Sequence, residues 1–189
     1  IDKLEYDTRS LSHLYLNENF TFYKKDVRDK KFLKKIVKNF DFIIPLAGLV
    51  GAPLCEKRKK DAKEINLQAV KDLISLLSKK QKIIFTNSNS GYGVGSKNKF
   101  CDENSPLNPI SLYGRTKVDA EKVVMNFENS ISFRLATVFG YSYRMRTDLL
   151  LNNLVLLSMK DKKLDIFESN FRRNFIHVSD VCDGIVFAI

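Results

Sequence analysis

The chain has 189 residues, of which 44% are hydrophobic and 11% aromatic, and it carries a formal net charge of +10. These values exclude a disordered tail and are sufficient for one domain with a real core. No apolar run reaches the roughly 18 residues that cross a bilayer, and no basic segment followed by an apolar stretch opens the chain, so we expect no membrane partner and a cytoplasmic location.

Apolar strand-like runs alternate with amphipathic helical runs along the chain, a pattern typical of a parallel α/β sheet. In chain order the predicted elements are strand 20–26, helix 28–40, strand 41–48, helix 60–80, strand 81–87, helix 111–129, strand 130–140, helix 147–160, strand 163–167, and a strand followed by a helix over 174–189. Ser179 is the predicted N-cap of the last helix.

Both ends of the sequence are interpreted as points of truncation. Ile1 and Asp2 resemble the end of a strand, and the sequence stops inside the last predicted helix. A chain of this class is expected to begin with a βα unit of about 30 residues that carries a glycine-rich dinucleotide turn. We therefore expect a fragment of a longer protein, truncated at both ends.

The clearest chemical signal is Tyr113 followed by Lys117, one turn apart on a predicted helix face. An ammonium beside a phenol lowers the tyrosine pKa from about 10, which makes tyrosine a usable general base near neutral pH. Y-x-x-x-K alone is a weak signal, because the spacing also occurs on helices by chance. Its context is more specific: Ser88 directly follows an apolar strand, where its hydroxyl can position a substrate oxygen against Tyr113.

These motifs, in their order and spacing, resemble the extended short-chain dehydrogenase/reductase family, and within it the NAD-dependent sugar-nucleotide epimerases and dehydratases. The resemblance covers nearly the whole chain and is carried by the segments "DVRD", "LAGLVG", "NSNSGYG", "SLYGRTKVDAE", "RLATVFG" and "RRNFIHVSDV". It implies a Rossmann-like doubly wound parallel sheet. Residues 1–140 would be the NAD-binding core without its first βα unit, 141–171 part of a small substrate-binding region, and 172–189 a strand and helix that return to the core.

The resemblance implies NAD as the cofactor. Asp2 resembles the acid that binds the adenosine ribose, where a carboxylate favours NAD because it would repel a 2′-phosphate. Asp26 and Val27 resemble the pair that contacts adenine. The other implied cofactor-binding residues are Leu46, Ala47, Gly48, Asn66, Tyr113 and Lys117.

By the same resemblance, Ser88, Tyr113 and Lys117 match the catalytic triad, and the substrate is a nucleoside-diphosphate sugar. The implied substrate-binding residues are Ser88, Asn89, Asn152 and Arg173. Arg173 would grip the diphosphate with its bidentate guanidinium.

Several positions near this implied site stay open. Asn152 and Asn153 both lie near one substrate-binding asparagine of relatives, and Thr137 stands where many relatives have asparagine. Arg144 and Arg146 face either the substrate or solvent.

The glycine-rich stretch "NSNSGYGVGSKNK" at 87–99 narrows the reaction. It lacks the G-x-x-x-x-G-K-[ST] spacing of a phosphate-binding loop and follows a middle strand. We expect its glycines to let the backbone pass close to the nicotinamide and substrate. Family 4,6-dehydratases carry an Asp–Glu pair after the catalytic hydroxyl residue, whereas Asn89 and Ser90 follow Ser88 here, so a 4-epimerase or a 4-dehydrogenase or reductase is favoured.

Two other functions remain as alternatives. A non-catalytic NAD(P)-binding regulator or scaffold would keep the fold without the chemistry, although retention of the whole triad argues against it. The positive charge alone suggests RNA binding, but the lysines are spread over several segments with acids between them, which favours solvated helix surfaces and no nucleic-acid partner.

The cysteines and histidines predict no metal site. Cys55, Cys101 and Cys182 are odd in number and form no C-x-x-C pattern, which favours free thiols in a reducing cytosol. Two isolated histidines do not supply the clustered ligands that a tetrahedral metal site needs; His177 is interpreted as structural.

The family resemblance also implies a homodimer through helices 60–80 and 111–129.

Overall fold

The computed structural model describes residues 1–6, 9–95, 100–167 and 169–189, so positions 96–99 of the glycine-rich stretch lie outside the described residues. Two parallel sheets are present in the described part, one with the order β1-β2-β3 and one that pairs β4 with β5. The strands are β1 Phe42–Ile43, β2 Lys82–Ser88, β3 Ser130–Leu135, β4 Thr137–Phe139 and β5 Phe175–His177.

Helices connect these parallel strands, as parallel pairing requires. The α-helices are α1 Lys30–Ile36, α2 Ala52–Lys57, α3 Lys59–Lys63, α4 Ala69–Ile74, α5 Leu112–Met125, α6 Leu150–Asp161 and α7 Val178–Ala188. One π-helical turn spans Glu64–Gln68, between α3 and α4. Short 3₁₀ turns lie at Ser12–Leu14, Val37–Asn39 and Asn89–Gly91. The predicted parallel α/β architecture is confirmed.

The core forms where α4 and α5 pack on the central strand. Ile83 and Phe85 of β2 are buried against Val70 of α4 and against Ala120 and Val124 of α5. A strand buried in this way needs a continuous apolar run, and "KIIFT" supplies it. The packing holds α5 directly beside the carboxyl end of β2.

Three predicted strands differ from the structure. Segment 20–26 makes only an isolated parallel bridge between Lys24 and Asp2. Of segment 41–48 only Phe42 and Ile43 pair, and Pro45, which has no backbone N–H, follows two residues after Ile43. The strand predicted at 163–167 is wrong: these residues are exposed and form no ladder.

Two further predicted elements are divided. The strand predicted over 130–140 breaks at Ala136 into β3 and β4, which belong to different sheets. The helix predicted over 60–80 belongs to a helical run that begins at Ala52 and ends at Ile74, with an interruption at Arg58 and the π turn at Glu64–Gln68. Neither break shows as a change in hydrophobic period.

The predicted cap of the last helix is also wrong. α7 begins at Val178, and its N-cap is His177, whose side chain accepts a hydrogen bond from the Ser179 backbone N–H. The Ser179 hydroxyl lies 2.7 Å from the same Nδ1 atom. A histidine ring nitrogen therefore satisfies a free N–H of the first turn, a task that the sequence pattern assigns to Ser179.

Candidate active site

The predicted catalytic residues lie on two adjacent elements. Ser88 is the last residue of β2, while Tyr113 and Lys117 lie one turn apart on α5. Helix α5 starts at Leu112 because the Ser111 side chain accepts a hydrogen bond from the Gly114 N–H at 3.1 Å. The N-cap therefore places Tyr113 in the first turn, facing the strand end. Ser88, Tyr113 and Lys117 are called the catalytic cluster below.

The Ser88 hydroxyl lies between the Gly-rich loop and Tyr113. Its Oγ is 3.0 Å from the Ser90 Oγ and accepts a hydrogen bond from the Ser90 N–H at 3.2 Å. The Ser88 backbone N–H donates to the Asn87 Oδ1 at 2.8 Å. The local turn thus holds the hydroxyl in one orientation at the end of β2.

The electrostatics of Tyr113 differ from the prediction. Burial raises the pKa of the Tyr113 phenol above its usual value, while a hydrogen bond from Ser88 and the charge of Arg146 act in the opposite direction. Lys117 is not the cation that lowers this pKa, because its Nζ donates to the Thr86 backbone carbonyl at 2.7 Å. Without a ligand, the phenol is held protonated at neutral pH.

Lys117 lies in an unusually apolar position for an ammonium. Its Nζ is 4.0 Å from the centroid of the Phe85 ring. Burial lowers the pKa of Lys117 to about 8, and the Glu121 carboxylate acts in the opposite direction. A lysine with a pKa near the working range of an enzyme is a common feature of catalytic sites.

Arg146, which the sequence left open, faces this cluster. Its guanidinium forms two hydrogen bonds to the Asp148 carboxylate, at 2.7 and 2.6 Å, and its charge acts on the Tyr113 phenol. Arg144 instead stacks on the ring of Tyr6, with 3.9 Å between the guanidinium carbon and the ring centroid. Only tertiary contacts distinguish these two arginines, which are two residues apart.

The glycines of the loop approach other parts of this chain. A Cβ at Gly91 would lie 2.9 Å from the Val118 side chain of α5. Gly93 has a φ of +71°, and a Cβ there would collide with the Asn108 backbone carbonyl. Close packing of the loop on α5 and on the 108–109 connection accounts for both glycines. The approach of this loop to nicotinamide stays a prediction.

A second candidate site lies beside the bridge between Asp2 and Lys24 and the turn that follows β1. Five of the predicted cofactor residues line one pocket together: Asp2, Asp26, Val27, Ala47 and Gly48. Leu49 and Ile65 add an apolar wall, and Lys3 and Glu5 lie at the same pocket. A carboxylate beside a flat apolar surface suits an adenosine group, with its ribose hydroxyls and purine ring. The residues present therefore fit the adenosine part of NAD.

Leu46 and Asn66 do not line this pocket. Leu46 is exposed, whereas Asn66 is buried in the π turn. The Asn66 amide accepts from the Leu49 N–H at 2.8 Å and donates to the Leu49 carbonyl at 2.9 Å. The π turn places this side chain where it holds the 46–50 turn from behind.

An ion-pair cluster of Asp26, Arg28, Asp61 and Glu64 supports the pocket. Arg28 forms hydrogen bonds of 3.0 and 2.8 Å to the two carboxylate oxygens of Asp26. It also reaches Asp61 at 3.0 Å and Glu64 at 2.8 Å. The Arg28 hydrogen bonds hold the pKa of Asp26 well below its usual value. Arg28, which the sequence reasoning did not single out, thereby links the strand end to α3 and the π turn.

The predicted substrate residues occupy different positions. Asn89 lies in the 3₁₀ turn after Ser88. Asn152 is buried and connects two points of one loop, since it accepts from the Gly140 N–H at 3.3 Å and donates to the Arg146 carbonyl at 3.0 Å. Asn153 donates to the Thr147 carbonyl, and Arg173 is exposed two residues before β5.

With this geometry described, the chain can be compared with known proteins. The family model of the NAD dependent epimerase/dehydratase family matches residues 1–189. The chain belongs to this family. Its members use NAD, so both the pocket and the catalytic cluster lie in a fold built for a dinucleotide.

Individual relatives include both epimerases and dehydratases. An uncharacterised UDP-glucose epimerase of Bacillus subtilis is 28% identical over 94% of this chain and 57% of its own length. Human dTDP-D-glucose 4,6-dehydratase is 25% identical over 98% of this chain and 56% of its own length. The chain therefore spans a little over half the length of these relatives.

Solved structures share the architecture. The UDP-glucuronic acid 4-epimerase of Bacillus cereus, determined with UDP-glucuronic acid and NAD, is 27% identical with a TM-score of 0.81 over 94% of this chain and 58% of that one. The UDP-glucose 4-epimerase of Thermotoga maritima has a TM-score of 0.84 over 100% of this chain and 63% of that one, and at 21% identity it shows the shared fold.

No helix within 1–6, 9–95, 100–167 and 169–189 is both long and apolar enough to cross a bilayer. In that same part of the chain, no three His, Cys, Asp or Glu side chains are grouped as a metal ion would need.

Proposed function

We propose that the full-length protein is an NAD-dependent enzyme that oxidises and reduces C4 of a nucleoside-diphosphate sugar. The observation that carries this proposal is the placement of Ser88 at the end of β2, where it lowers the pKa of the buried Tyr113 phenol on α5, with Lys117 one turn further along that helix. The fold of the chain and its relatives among UDP-sugar epimerases support the substrate class.

In this mechanism Tyr113 takes the proton of the sugar hydroxyl while Ser88 shares a hydrogen bond with the same oxygen. Bound NAD would supply the hydride acceptor and donor. Lys117 would leave the Thr86 carbonyl for the nicotinamide ribose, and its ammonium beside Tyr113 would then stabilise the phenolate. Asp2, Asp26, Val27, Ala47 and Gly48 would bind the adenosine part, with Asn66 holding the turn.

The residues after Ser88 favour a 4-epimerase or a 4-dehydrogenase or reductase over a 4,6-dehydratase. Dehydration needs an acid and a base near C5 and C6, and neither Asn89 nor Ser90 can titrate there. The Ser88 hydroxyl donates to the Ser90 hydroxyl oxygen at 3.0 Å and accepts from the Ser90 N–H at 3.2 Å, so Ser90 serves to orient that hydroxyl. Relatives of both kinds match the chain, which makes this pair of residues the basis for choosing between them.

Asn152 and Arg173 remain the proposed substrate residues. Because Asn152 holds Gly140 and the Arg146 backbone, its proposed contribution is to shape the loop that presents Arg146 to the cluster. Arg173 is exposed and has the bidentate guanidinium that a diphosphate requires.

We also propose a homodimer, through the helices that follow β1 and through α5. A groove between these helices is lined on one side by Lys63, Leu67 and Gln68, and on the other by Leu112 and Arg115. Light scattering on the full-length protein tests this. Twice the chain mass is expected, and a monomer at micromolar concentration would contradict it.

The test of the enzymatic proposal uses Tyr113→Phe in the full-length protein, with Tyr23→Phe as the matched control. Tyr23 packs its ring on Phe32, with centroids 5.2 Å apart, outside the catalytic cluster. We expect Tyr113→Phe to lower turnover of UDP- and dTDP-sugars by about 10²- to 10⁴-fold, the range of a general base, and the control to retain turnover. Equal turnover in both variants would show that Tyr113 is not the base.

A further inference from the structure

Glu121 is the one buried acidic residue among those the structure describes, and no role in the proposed chemistry uses it. It lies on α5, one turn beyond Lys117. Its Oε1 accepts from the Ser132 hydroxyl at 2.7 Å, and both carboxylate oxygens accept from the Arg134 Nε at 3.1 Å. Burial alone would raise the pKa of Glu121, but these hydrogen bonds bring it below its usual value. The residue is therefore a buried carboxylate ion.

Arg134 extends this network toward the loop that follows Ser88. Its Nη1 donates to the Tyr92 hydroxyl at 3.3 Å and to the Glu103 backbone carbonyl at 3.0 Å. The guanidinium also lies 5.3 Å from the centroid of the Tyr92 ring. One arginine thus connects β3, the glycine-rich loop and the connection that leads to α5.

The network also reaches the strand that carries Ser88. In the parallel register Asn87 pairs with Arg134, and Ser88 pairs with Leu135. The Asn87 Oδ1 accepts from the Ser88 N–H, while its buried Nδ2 makes no hydrogen bond of good geometry and lies close enough to Glu121 to lower the pKa of that carboxylate. Glu121 is therefore behind the strand end from which Ser88 projects.

Within α5, Lys117 lies one turn before Glu121. The two side chains are at i and i+4 on one helix face, where side chains are neighbours. The other groups around Lys117 are the Phe85 ring and the Thr86 carbonyl of β2, Tyr113 on α5, Arg134 beyond Glu121, and Arg146 across Tyr113. Burial acts against the ammonium, and the Glu121 carboxylate is the charged group that favours it.

We propose that Glu121 is a positioning residue of the catalytic cluster: held by Ser132 and Arg134, it fixes α5 against the end of β2 and keeps the Lys117 side chain an ammonium. The proposal rests on the proposed function, in which a charged Lys117 binds the ribose and assists Tyr113. A plain structural salt bridge would fix α5 against β2 but would not keep Lys117 charged.

The test follows the ionisation of Lys117 directly in the full-length protein labelled with [ε-¹³C]lysine, with its signal assigned by its loss in Lys117→Met. In Glu121→Gln the midpoint of the Lys117 titration should fall by about one pH unit, the shift expected when a nearby opposite charge is removed. Glu128→Gln, which removes an exposed acid seven residues further on, should leave the midpoint in place.

Arg134→Met gives a second measurement with the opposite sign. It removes a positive charge while the Ser132 hydroxyl still holds the Glu121 carboxylate, so the Lys117 midpoint should rise. A purely structural network predicts no such opposite pair of shifts, and an unchanged midpoint in either variant would overturn the proposal. Should Glu121→Gln fail to fold, the direction of the Arg134→Met shift decides alone.

Activity separates this inference from the proposed function. With turnover of a UDP-sugar present, the alkaline limb of the kcat/KM profile should move to lower pH in Glu121→Gln and not in Glu128→Gln. If the Lys117 midpoints shift as expected while no sugar nucleotide is turned over, the proposed function fails and the role of Glu121 stands. Turnover of a UDP-sugar with unchanged Lys117 midpoints would contradict the positioning role of Glu121 and leave the proposed function intact.

Discussion

The catalytic cluster and the ion-pair cluster lie at the same edge of one fold, yet they hold their charges in different ways. Lys117 is enclosed by Phe85 and a backbone carbonyl, so burial lowers its pKa to about 8. Asp26 and Arg28 are part-buried and satisfy each other at 2.8 to 3.0 Å. Because Lys117 is buried, its pKa is sensitive to the addition or removal of a single nearby charge. In the ion-pair cluster, by contrast, the loss of one contact is partly offset by the remaining partners.

The largest expected effect comes from the packing under the catalytic cluster. Phe85→Ala should lower the free energy of unfolding by about 3–5 kcal/mol, because it empties the centre of β2 beneath Lys117. Phe100→Ala, at a side chain that is 88% exposed, is the control and should change it by less than about 0.5 kcal/mol. Chemical denaturation of the full-length protein measures both, and similar losses would show that β2 is not the centre of the core.

The next effect concerns the turn behind the cofactor pocket. Asn66→Ala leaves the buried Leu49 N–H without a partner and the Leu49 carbonyl with only the weak Cys55 thiol donor, and should lower the free energy of unfolding by about 2 kcal/mol. NAD affinity measured by calorimetry should fall as well, because the 46–50 turn loosens. The exposed Asn126→Ala is the matched control. Unchanged NAD affinity in a destabilised Asn66→Ala protein would show that the 46–50 turn does not contribute to NAD binding.

A smaller effect appears as a pH dependence. The Lys117 pKa is about 8 in the folded chain and about 10.5 when unfolded, so between these values the unfolded state binds more protons. Stability therefore rises with pH across this window, by about 1 kcal/mol once partial solvent access is allowed for. Lys117→Met should remove this rise relative to the native protein in denaturation curves from pH 7.5 to 10.5. Parallel curves would contradict the burial of the ammonium.

The smallest effect is expected in the ion-pair cluster. Arg28→Met should lower the free energy of unfolding by about 1 kcal/mol or less, since its partners are part-exposed. Asp26 has a lowered pKa, so its contribution is complete above the ordinary Asp value and is lost as pH falls below it. The native–variant difference should shrink in 1 M salt and at acid pH. If the difference in the free energy of unfolding depends on neither salt nor pH, then Arg28 stabilises the fold through the packing of its aliphatic stem and not through its charge.

Much of the fold follows from local pattern. The apolar run before Ser88 predicts β2 to within one residue, and the helix predicted from position 111 begins at Leu112, although α5 ends at Met125 and not at 129. The strand predicted at 163–167 fails because a short apolar run has no pairing partner of its own. The division at Ala136 and the cap at His177 depend on what lies across the sheet.

The candidate site divides in the same way. Ser88, Tyr113 and Lys117 are recognisable because their chemistry and spacing are local. Glu121, Arg134 and Arg28 escaped notice, although Glu121 stands at i+4 from Lys117, since a charged residue on an amphipathic helix is usually a solvated one. Only burial makes Glu121 distinctive.

By itself, the sequence determined the parallel α/β architecture, the family, and which residue types could carry the chemistry, since hydrophobic period, caps and spacing are properties of the chain. The tertiary structure alone decided the ionisation of those residues. It turned Lys117 toward Thr86, set Arg146 before Tyr113 and enclosed Glu121 behind Ser88. The physical reason is that pKa values depend on solvent exclusion and on charges from distant segments, and neither exists until the segments pack.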